Sequence, residues 1–598
     1  MFLDPRCGLV HSRLSILDLS SAGHQPMQAD DLPVWITYNG EIYNYCELKE
    51  KLATCGWAFA SRTDTEVILK GYVQWGVEIF QYLRGMYAVA IWDARDETLV
   101  LARDPFGIKP IYYAVLPKRW IVFGSELKAV LAFDMVPKKI NRNGVGQFFR
   151  YLYIPEPLSI YEGIERLPPG ATLVWKRGSI RLGVPVRANF SATRTNQRMP
   201  LDCTNDLVEE VTATLRDSVA AHLIADVPVG AFLSGGVDSS LVVGLMRQLT
   251  NRELHTFSIV YPEKWKSFDE GNFARSVAKR METHHHEIVV DSSVVRDLDA
   301  MLVAFDEPFG NPAGLMASAL SKYTRRYVKV VLSGVGGDEF FGGYPRYLAV
   351  GWYSRLKQIP RSLLFLSEKL LSVVRVSPDR KNTIARLQRL MHASLDRTPS
   401  NFFDDLSCFA TPELVSPLIA PELARTISWR DPLRIPVNSQ ELSPSWAMAV
   451  DASTYLPGDL LTYTDRSSMR YALEVRTPFV DRNVATLAAA LPENVKLRGL
   501  ETKWLLKKIA LHFIPREAVY RKKKGFSLPI AYWLRRELKT SLEEMGQPAS
   551  LREVPELNPR GVQNLLSRHR SGDDAVAYLV WAILVYVLWR QRNKAIQI

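Results

Sequence analysis

The stretch that most limits what this chain can fold into is Val229-Gly230-Ala231-Phe232-Leu233-Ser234-Gly235-Gly236-Val237-Asp238-Ser239-Ser240. The apolar run at 229–233 reads as a buried parallel strand, and 240–249 repeats apolar residues at helical spacing. The loop between them must turn sharply. Two adjacent glycines, Gly235 and Gly236, let it do so and let the main chain approach a ligand with no Cβ in the way. Free N–H groups of the loop and of the next helix's first turn then converge on one spot, an anion site. Ser234, Ser239 and Ser240 add hydroxyl donors, and Asp238 is placed to hold a cation that bridges phosphates. No lysine follows the glycines, so this is not the Gly-x-x-x-x-Gly-Lys-Ser/Thr loop of kinase-type enzymes.

A bare Gly-Gly after a strand is an ordinary turn. The whole string Ser-Gly-Gly-Val-Asp-Ser-Ser after an apolar strand resembles the pyrophosphate loop of the ATP-pyrophosphatase ligases. That resemblance implies that ATP is cut between its α and β phosphates and that AMP is left on a substrate. The surroundings fit a doubly wound sheet with ligands at the carboxyl ends of its strands. An amphipathic helix at 207–223 leads in, strands are expected at 254–260, 286–290 and 328–332, and a helix at 270–281. The 328–332 strand runs into Ser333-Gly334-Val335-Gly336-Gly337-Asp338-Glu339-Phe340-Phe341-Gly342-Gly343-Tyr344. Five glycines there mean close backbone approach to something.

Residues 1–185 read as a separate β-rich unit, with strands at 32–38, 87–92, 99–102, 111–113 and 121–123 and helices at 46–55 and 65–75. Four strings stand out: Arg13-Leu14-Ser15-Ile16, Asn39-Gly40-Glu41-Ile42-Tyr43-Asn44, Ser61-Arg62-Thr63-Asp64-Thr65-Glu66, and Arg103-Asp104-Pro105-Phe106-Gly107-Ile108-Lys109-Pro110. Singly, each has a plain explanation: Asn-Gly is a common hairpin turn and Asp64 suits a helix N-cap. In this order and spacing they resemble the glutamine amidotransferase domain of the asparagine synthetases, an N-terminal-nucleophile hydrolase fold (αββα).

The resemblance implies that Arg13 holds the glutamine α-carboxylate, that Glu41 and Asp64 grip its α-ammonium, and that Asn39 with the Gly40 N–H forms the oxyanion hole. In that family the nucleophile is an N-terminal cysteine a few dozen residues before Arg-Leu-Ser-Ile. Here that string begins at residue 13, and the nearby thiol, Cys7, is internal and reads as a packed strand cysteine. The expectation is a start placed upstream of Met1 or an enzyme using free ammonia, with no glutaminase activity in the chain as written.

In the second domain, 206–598, the same resemblance implies that Asp338 joins Asp238 in holding Mg2+ on the pyrophosphate. Ser333 and Gly334 would lie near the nucleotide, and Leu233 and Ile259 would line its adenine-ribose side. Many members carry Asp or Glu where this chain has Val335, a carboxylate proposed to take a proton from ammonia. Glu339, water or the product phosphate would then substitute, unless that role is not general. Arg521-Lys522-Lys523-Lys524-Gly525-Phe526 is by composition a solvated basic face. The resemblance places Lys523 over the α-phosphate, with Lys522 and Lys524 as rivals. The 306–312 string reads as an exposed turn beside the site. The strings at 455–459, 465–469 and 474–481 match the family's C-terminal half, and their charges are expected in buried ion pairs. Residues 355–440 carry no legible motif.

The boundary is placed at the polar stretch 184–205. At 598 residues more than one domain is expected. Five scattered cysteines with no Cys-x-x-Cys argue against a disulfide framework or zinc site and fit a cytoplasmic setting. The net charge of +12 comes with no nucleic-acid module, so a nucleotide phosphate is the simpler partner. A signal peptide is not expected from the opening residues, where Asp4, Pro5 and Arg6 follow Met1 closely. The uncharged run 575–589 falls short of the roughly 20 residues a membrane span needs and reads as a buried helix. His284-His285-His286 alternate faces at a strand start and are not expected to bind metal.

The function expected is asparagine synthesis from aspartate, Mg-ATP and either glutamine or free ammonia, through a β-aspartyl-AMP; a homodimer is compatible with it. The rivals are a ligase activating another carboxylate, as in β-lactam synthetase or lasso-peptide cyclase relatives, and a non-catalytic descendant.

Overall fold

The computed structural model describes residues 1–183, 186, 204–372, 381–396, 398–430, 442–521 and 528–594. The polar boundary at 184–205 lies almost wholly outside them.

The N-terminal unit is built on a six-stranded antiparallel sheet, ordered Ser179–Leu182, Thr172–Lys176, Thr98–Arg103, Gly85–Asp93, Val34–Ile42, Met27–Gln28. Apolar residues alternate along Val34–Ile42, so one face takes Ile36 and Tyr38 under the helices Tyr45–Thr54 and Asp64–Trp75, which contribute Leu48, Leu52, Val67 and Ile68. The other face, with Ala88, Ala90 and Trp92, packs on Leu9, Tyr113 and Leu167 and so on a smaller three-stranded sheet. Asn39-Gly40 lies inside the long strand, opposite Ala88 and Tyr87, and forms no hairpin turn. Gly40 has φ +152, and a Cβ there would fall 2.0 Å from the Met86 carbonyl oxygen. Thr63, not Asp64, caps the second helix by accepting from the Glu66 N–H. Asp64 is thereby left free of capping duty.

The C-terminal unit carries five parallel strands in the order His284–Val289, His255–Val260, Val229–Phe232, Val330–Leu332, Glu474–Arg476. From Val229–Phe232 the chain winds outward in one direction, then returns to add Val330–Leu332 on the other side. The two glycine loops therefore leave neighbouring strands at the point where the winding reverses, where such sheets bind ligands. The doubly wound expectation holds. The edge strand Glu474–Arg476 was not legible as a strand. Its charged ends are buried, an arrangement that only tertiary ion pairs make tolerable.

The two units share a core. One apolar cluster takes Tyr112, Phe148, Phe149, Leu152 and Tyr161 from the first and Phe305, Trp533, Trp581 and Tyr586 from the second. Buried charges cross as well: Lys109 meets Asp465 at 2.7 Å, Arg150 meets Asp404 at 2.6 Å, and Arg84 meets Asp481 at 2.7 Å. The expectation of ion-pair networks around 465–481 is met, with the networks joining the domains. The 306–312 turn is not exposed. Glu307 is buried against Arg166 and the Ile160 N–H, and Trp581 donates to the Gly310 carbonyl at 2.8 Å, so the turn is a joint between domains. The apolar C-terminal run forms the helix Ala577–Arg592, buried along most of its length in the shared core.

Candidate active site

Two loops meet at the carboxyl ends of the central strands. In the first, the Ser234 and Ser239 hydroxyls lie 3.0 Å apart, and Ser239 also accepts the Ser234 N–H at 3.2 Å. Gly235 has φ +69 and lies against the Phe273–Ala274 backbone, where a Cβ would come within 2.6 Å of the Ala274 nitrogen. Gly236 precedes the helix Val237–Leu249, so Asp238 and Ser239 stand in its first turn, where N–H groups favour an anion. The Ser240 hydroxyl is buried with no hydrogen-bond partner. Leu233 is buried in the core, its N–H donating to the Phe257 carbonyl at 2.8 Å, while Ile259 is half-buried on the neighbouring strand.

The second loop closes on the first with no room to spare. A Cβ on Gly334 would sit 2.6 Å from the Ser239 nitrogen, and one on Gly337 would sit 2.7 Å from the Asp238 carboxylate. The glycines therefore let the two loops touch and bring Asp238 and Asp338 to one place. Both carboxylates contact the buried ammonium of Lys503, Asp338 at 2.7 Å. Those charges hold the Lys503 ammonium above the ordinary lysine range against the opposing pull of burial. A Cβ on Gly343 would fall 1.8 Å from the Asp338 Oδ1 and 2.4 Å from the Lys503 side chain. Gly343→Ala is accordingly expected to lower aspartate-dependent exchange of pyrophosphate into ATP by at least about 100-fold, as measured on purified protein.

Lys503 was missed in the sequence. It stands at φ 54 just before the helix Trp504–Ala510, a poor place for a cation beside a helix N-terminus and a poor conformation for a lysine. That local mismatch is the signal that could have found it. Lys523, with Lys522 and Lys524, lies outside the described residues. Arg521 donates to the Gly235 carbonyl at 3.2 Å and pairs with Glu270, so the start of that basic run does reach the first loop. Val335 packs against the apolar core. Glu339, four residues on, is buried and accepts from the Tyr344 hydroxyl; burial and the nearby Asp338 push its carboxyl up to about 7.

Asp238 and Asp338 suit a hard divalent cation, which takes carboxylate oxygens and is commonly held by one or two of them with phosphates completing its shell. Among the described residues no group of three or more ligating side chains could hold a metal alone. The donor set fits a cation that arrives with a nucleotide.

The second expected site lies in the N-terminal unit. Asp64 is buried and accepts from the Tyr38 hydroxyl at 2.7 Å and the Ile42 N–H at 2.9 Å. Burial still pushes its carboxyl up to about 6. Folding therefore favours its protonated form, a contribution present below pH 4 and lost as pH rises through 6. Relative to Asp64→Asn, the wild type should lose up to about 3 kcal/mol of stability between pH 4 and pH 8, read from denaturant melts at each pH. Glu41 is also buried and makes an ion pair with Arg476 at 2.9 Å. Burial, the largest influence, raises its carboxyl well above the usual range although Arg476 opposes this. Arg13 donates to the carbonyls of Leu17 at 2.6 Å and Asp18 at 2.9 Å in its own loop. Glu41 and Asp64 are near enough to raise one another's charge cost, whereas Arg13 is engaged locally. Cys7 carries an ordinary amide nitrogen that donates to Asp4, and burial pushes its thiol up to about 12. It is a packed cysteine, as the sequence suggests.

The chain matches the asparagine synthase family over residues 210–591 and the glutamine amidotransferase domain family over residues 1–184. It is 31% identical over 596 residues to asparagine synthetase (glutamine-hydrolyzing) 1 of Bacillus subtilis, an alignment covering 99% of this chain and 90% of that protein. Asparagine synthetase (glutamine-hydrolyzing) 3 of the same organism is 28% identical, over 86% of this chain and 79% of that protein. Amidase chry2 of Gibberella zeae is 26% identical, over 92% and 84% respectively. The N-terminal unit is thus a glutamine amidotransferase domain, joined to a parallel-sheet domain of the synthase type. The chain belongs to the asparagine synthetase (glutamine-hydrolysing) family, ligases that form the C–N bond of asparagine at the expense of ATP.

Proposed function

We propose that the C-terminal domain activates the β-carboxylate of aspartate as β-aspartyl-AMP, which ammonia then converts to asparagine and AMP. The observation that carries this reading is the meeting of Asp238 and Asp338 at the N-terminus of the Val237–Leu249 helix, between two glycine-built loops. The loop N–H groups and the Ser234, Ser239 and Ser240 hydroxyls would take the pyrophosphate oxygens, and Ser333 and Gly334 would border the nucleotide. Asp238 and Asp338 would hold Mg2+, which when bound neutralises charge on the departing pyrophosphate. Lys503, already within reach of both carboxylates, is the cation best supported for the α-phosphate, where charge grows as the carboxylate attacks. Lys523 remains a second candidate.

Glutamine would bind beside Glu41 and Asp64, with Arg13 turning from its loop carbonyls to the α-carboxylate and Asn39 and Gly40 facing the oxyanion. Free ammonia is nevertheless the nitrogen source best supported by the described cysteines, each of which carries an ordinary amide nitrogen and no free amine. Cys7 is packed, and Cys408 is buried with its thiol pushed up to about 12. A cytoplasmic setting is supported by the scattered cysteines, unpaired among the described residues.

The test is the exchange of labelled pyrophosphate into ATP across a panel of carboxylates. Exchange that depends on aspartate supports the reading; exchange that ignores aspartate refutes it. With aspartate and ATP supplied, ammonium should drive asparagine formation and glutamine should not.

A further inference from the structure

Glu41, which the reading above gives to the ammonium of glutamine, is held in this structure by the other domain. Its carboxylate and Arg476 form an ion pair at 2.9 Å, with both side chains buried. The pair is imperfect: Glu41 Oε1 and Arg476 Nη2 have no hydrogen-bond partner, a costly state for buried charged groups. Arg476 has other supports. It donates to Glu474 at 2.8 Å and to the carbonyls of His222 and Ile224 at 2.9 and 2.7 Å. Its own carbonyl accepts the N–H of Ser333 at 2.8 Å. Ser333 opens the second nucleotide loop, and the next residue, Gly334, lies against the backbone of Asp238 and Ser239 with no space for a Cβ. One arginine thus joins a carboxylate of the amino-acid pocket to the loop beside the phosphate site.

We propose that Arg476 is a positioning residue that couples the two sites, so that an amino acid bound at Glu41 and a nucleotide bound between the loops change each other's affinity. The proposal rests on the reading of the Glu41 pocket as a glutamine site. Two arrangements differ in their contacts. In one, the arrangement of this structure, Glu41 holds Arg476. With an ammonium on Glu41, two cations face one carboxylate, and Arg476 falls back on Glu474 and the two carbonyls. Any shift of its main chain is passed to Ser333 through a single hydrogen bond, and from there to Ser239 through the close contact at Gly334. A packed interior moves between discrete arrangements and does not deform smoothly, so the shift reaches the phosphate loop. Coupling of this kind is reciprocal, and both affinities must change by the same factor.

The test is titration calorimetry on the full chain with glutamine and with the α,β-methylene analogue of ATP plus Mg2+, each alone and each with the other saturating. In the wild type the dissociation constant for glutamine should shift at least about five-fold when nucleotide is bound, and that for nucleotide by the same factor when glutamine is bound. In Arg476→Lys, which keeps the charge and loses the fork of donors, both ligands should bind while the factor falls to within about two-fold of one. If that variant does not fold, Glu474→Gln removes one of the two carboxylates on Arg476 at constant size and should change the wild-type factor by at least about three-fold. A wild-type factor of one, or a factor undisturbed in the variant that folds, overturns the coupling alone. A wild type that binds nucleotide but no glutamine overturns the glutamine reading of the pocket and the coupling with it.

Discussion

Replacing Asp238 with asparagine is expected to lower aspartate-dependent exchange of pyrophosphate into ATP by about 1,000-fold, with the fold intact by circular dichroism. The carboxylate sits in the first turn of the Val237–Leu249 helix, with Asp338 beside it on the facing loop and Lys503 touching both. Asparagine keeps the volume and one acceptor oxygen and removes the charge. A cation that binds with the nucleotide then has one anionic ligand in place of two, and Lys503 loses half of what holds it. Loss of a single aligned group from a site that stabilises developing charge costs about 10²–10³-fold in rate, and a metal ligand belongs at the upper end. Asp338→Asn should behave alike, and the double variant should be little worse than either, since both serve one cation. Turnover in Asp238→Asn within ten-fold of wild type would remove the basis for the proposed function.

The second large effect is expected at Lys503. Its ammonium is buried between two carboxylates, and Lys503→Met leaves those carboxylates facing one another. Removing one partner of a buried charge set costs about 3–5 kcal/mol; because both aspartates keep some solvent contact, about 3 kcal/mol is expected here. The loss should appear in denaturant unfolding in the presence of a chelator. Added Mg2+ should recover more of the variant's stability than it adds to the wild type, since the ion enters where the ammonium was. Exchange activity should fall by at least about 100-fold with or without that recovery. Equal responses of variant and wild type to Mg2+ would show that the two aspartates do not hold the ion.

These two residues also mark how far the sequence could be read. Asp238 was legible because all it needs is local: a strand, two glycines, a helix start and an acidic residue in the first turn. The glycines around Asp338 told of close approach, and the structure supplies the surface approached, the Asp238–Ser239 backbone. Lys503 was not legible. Nothing within Glu501-Thr502-Lys503-Trp504 says that its neighbours will be carboxylates from two other loops. Glu41 and Asp64 were recognisable as a pair of carboxylates suited to an ammonium, while the partner that holds Glu41, Arg476, stands in the other domain. The 306–312 turn carries the prolines, glycine and charges of a surface loop. It is buried because Arg166 and Trp581 satisfy its polar groups from outside the segment.

By itself the sequence determined the parallel sheet and the two glycine loops at strand ends, because backbone geometry and apolar periodicity act over a few residues. Only the tertiary structure decided which charges meet: Lys503 with Asp238 and Asp338, Arg476 with Glu41, Lys109 with Asp465. Burying a charge is costly unless its partner is buried with it, and the partners here are brought together by packing between elements far apart in the chain.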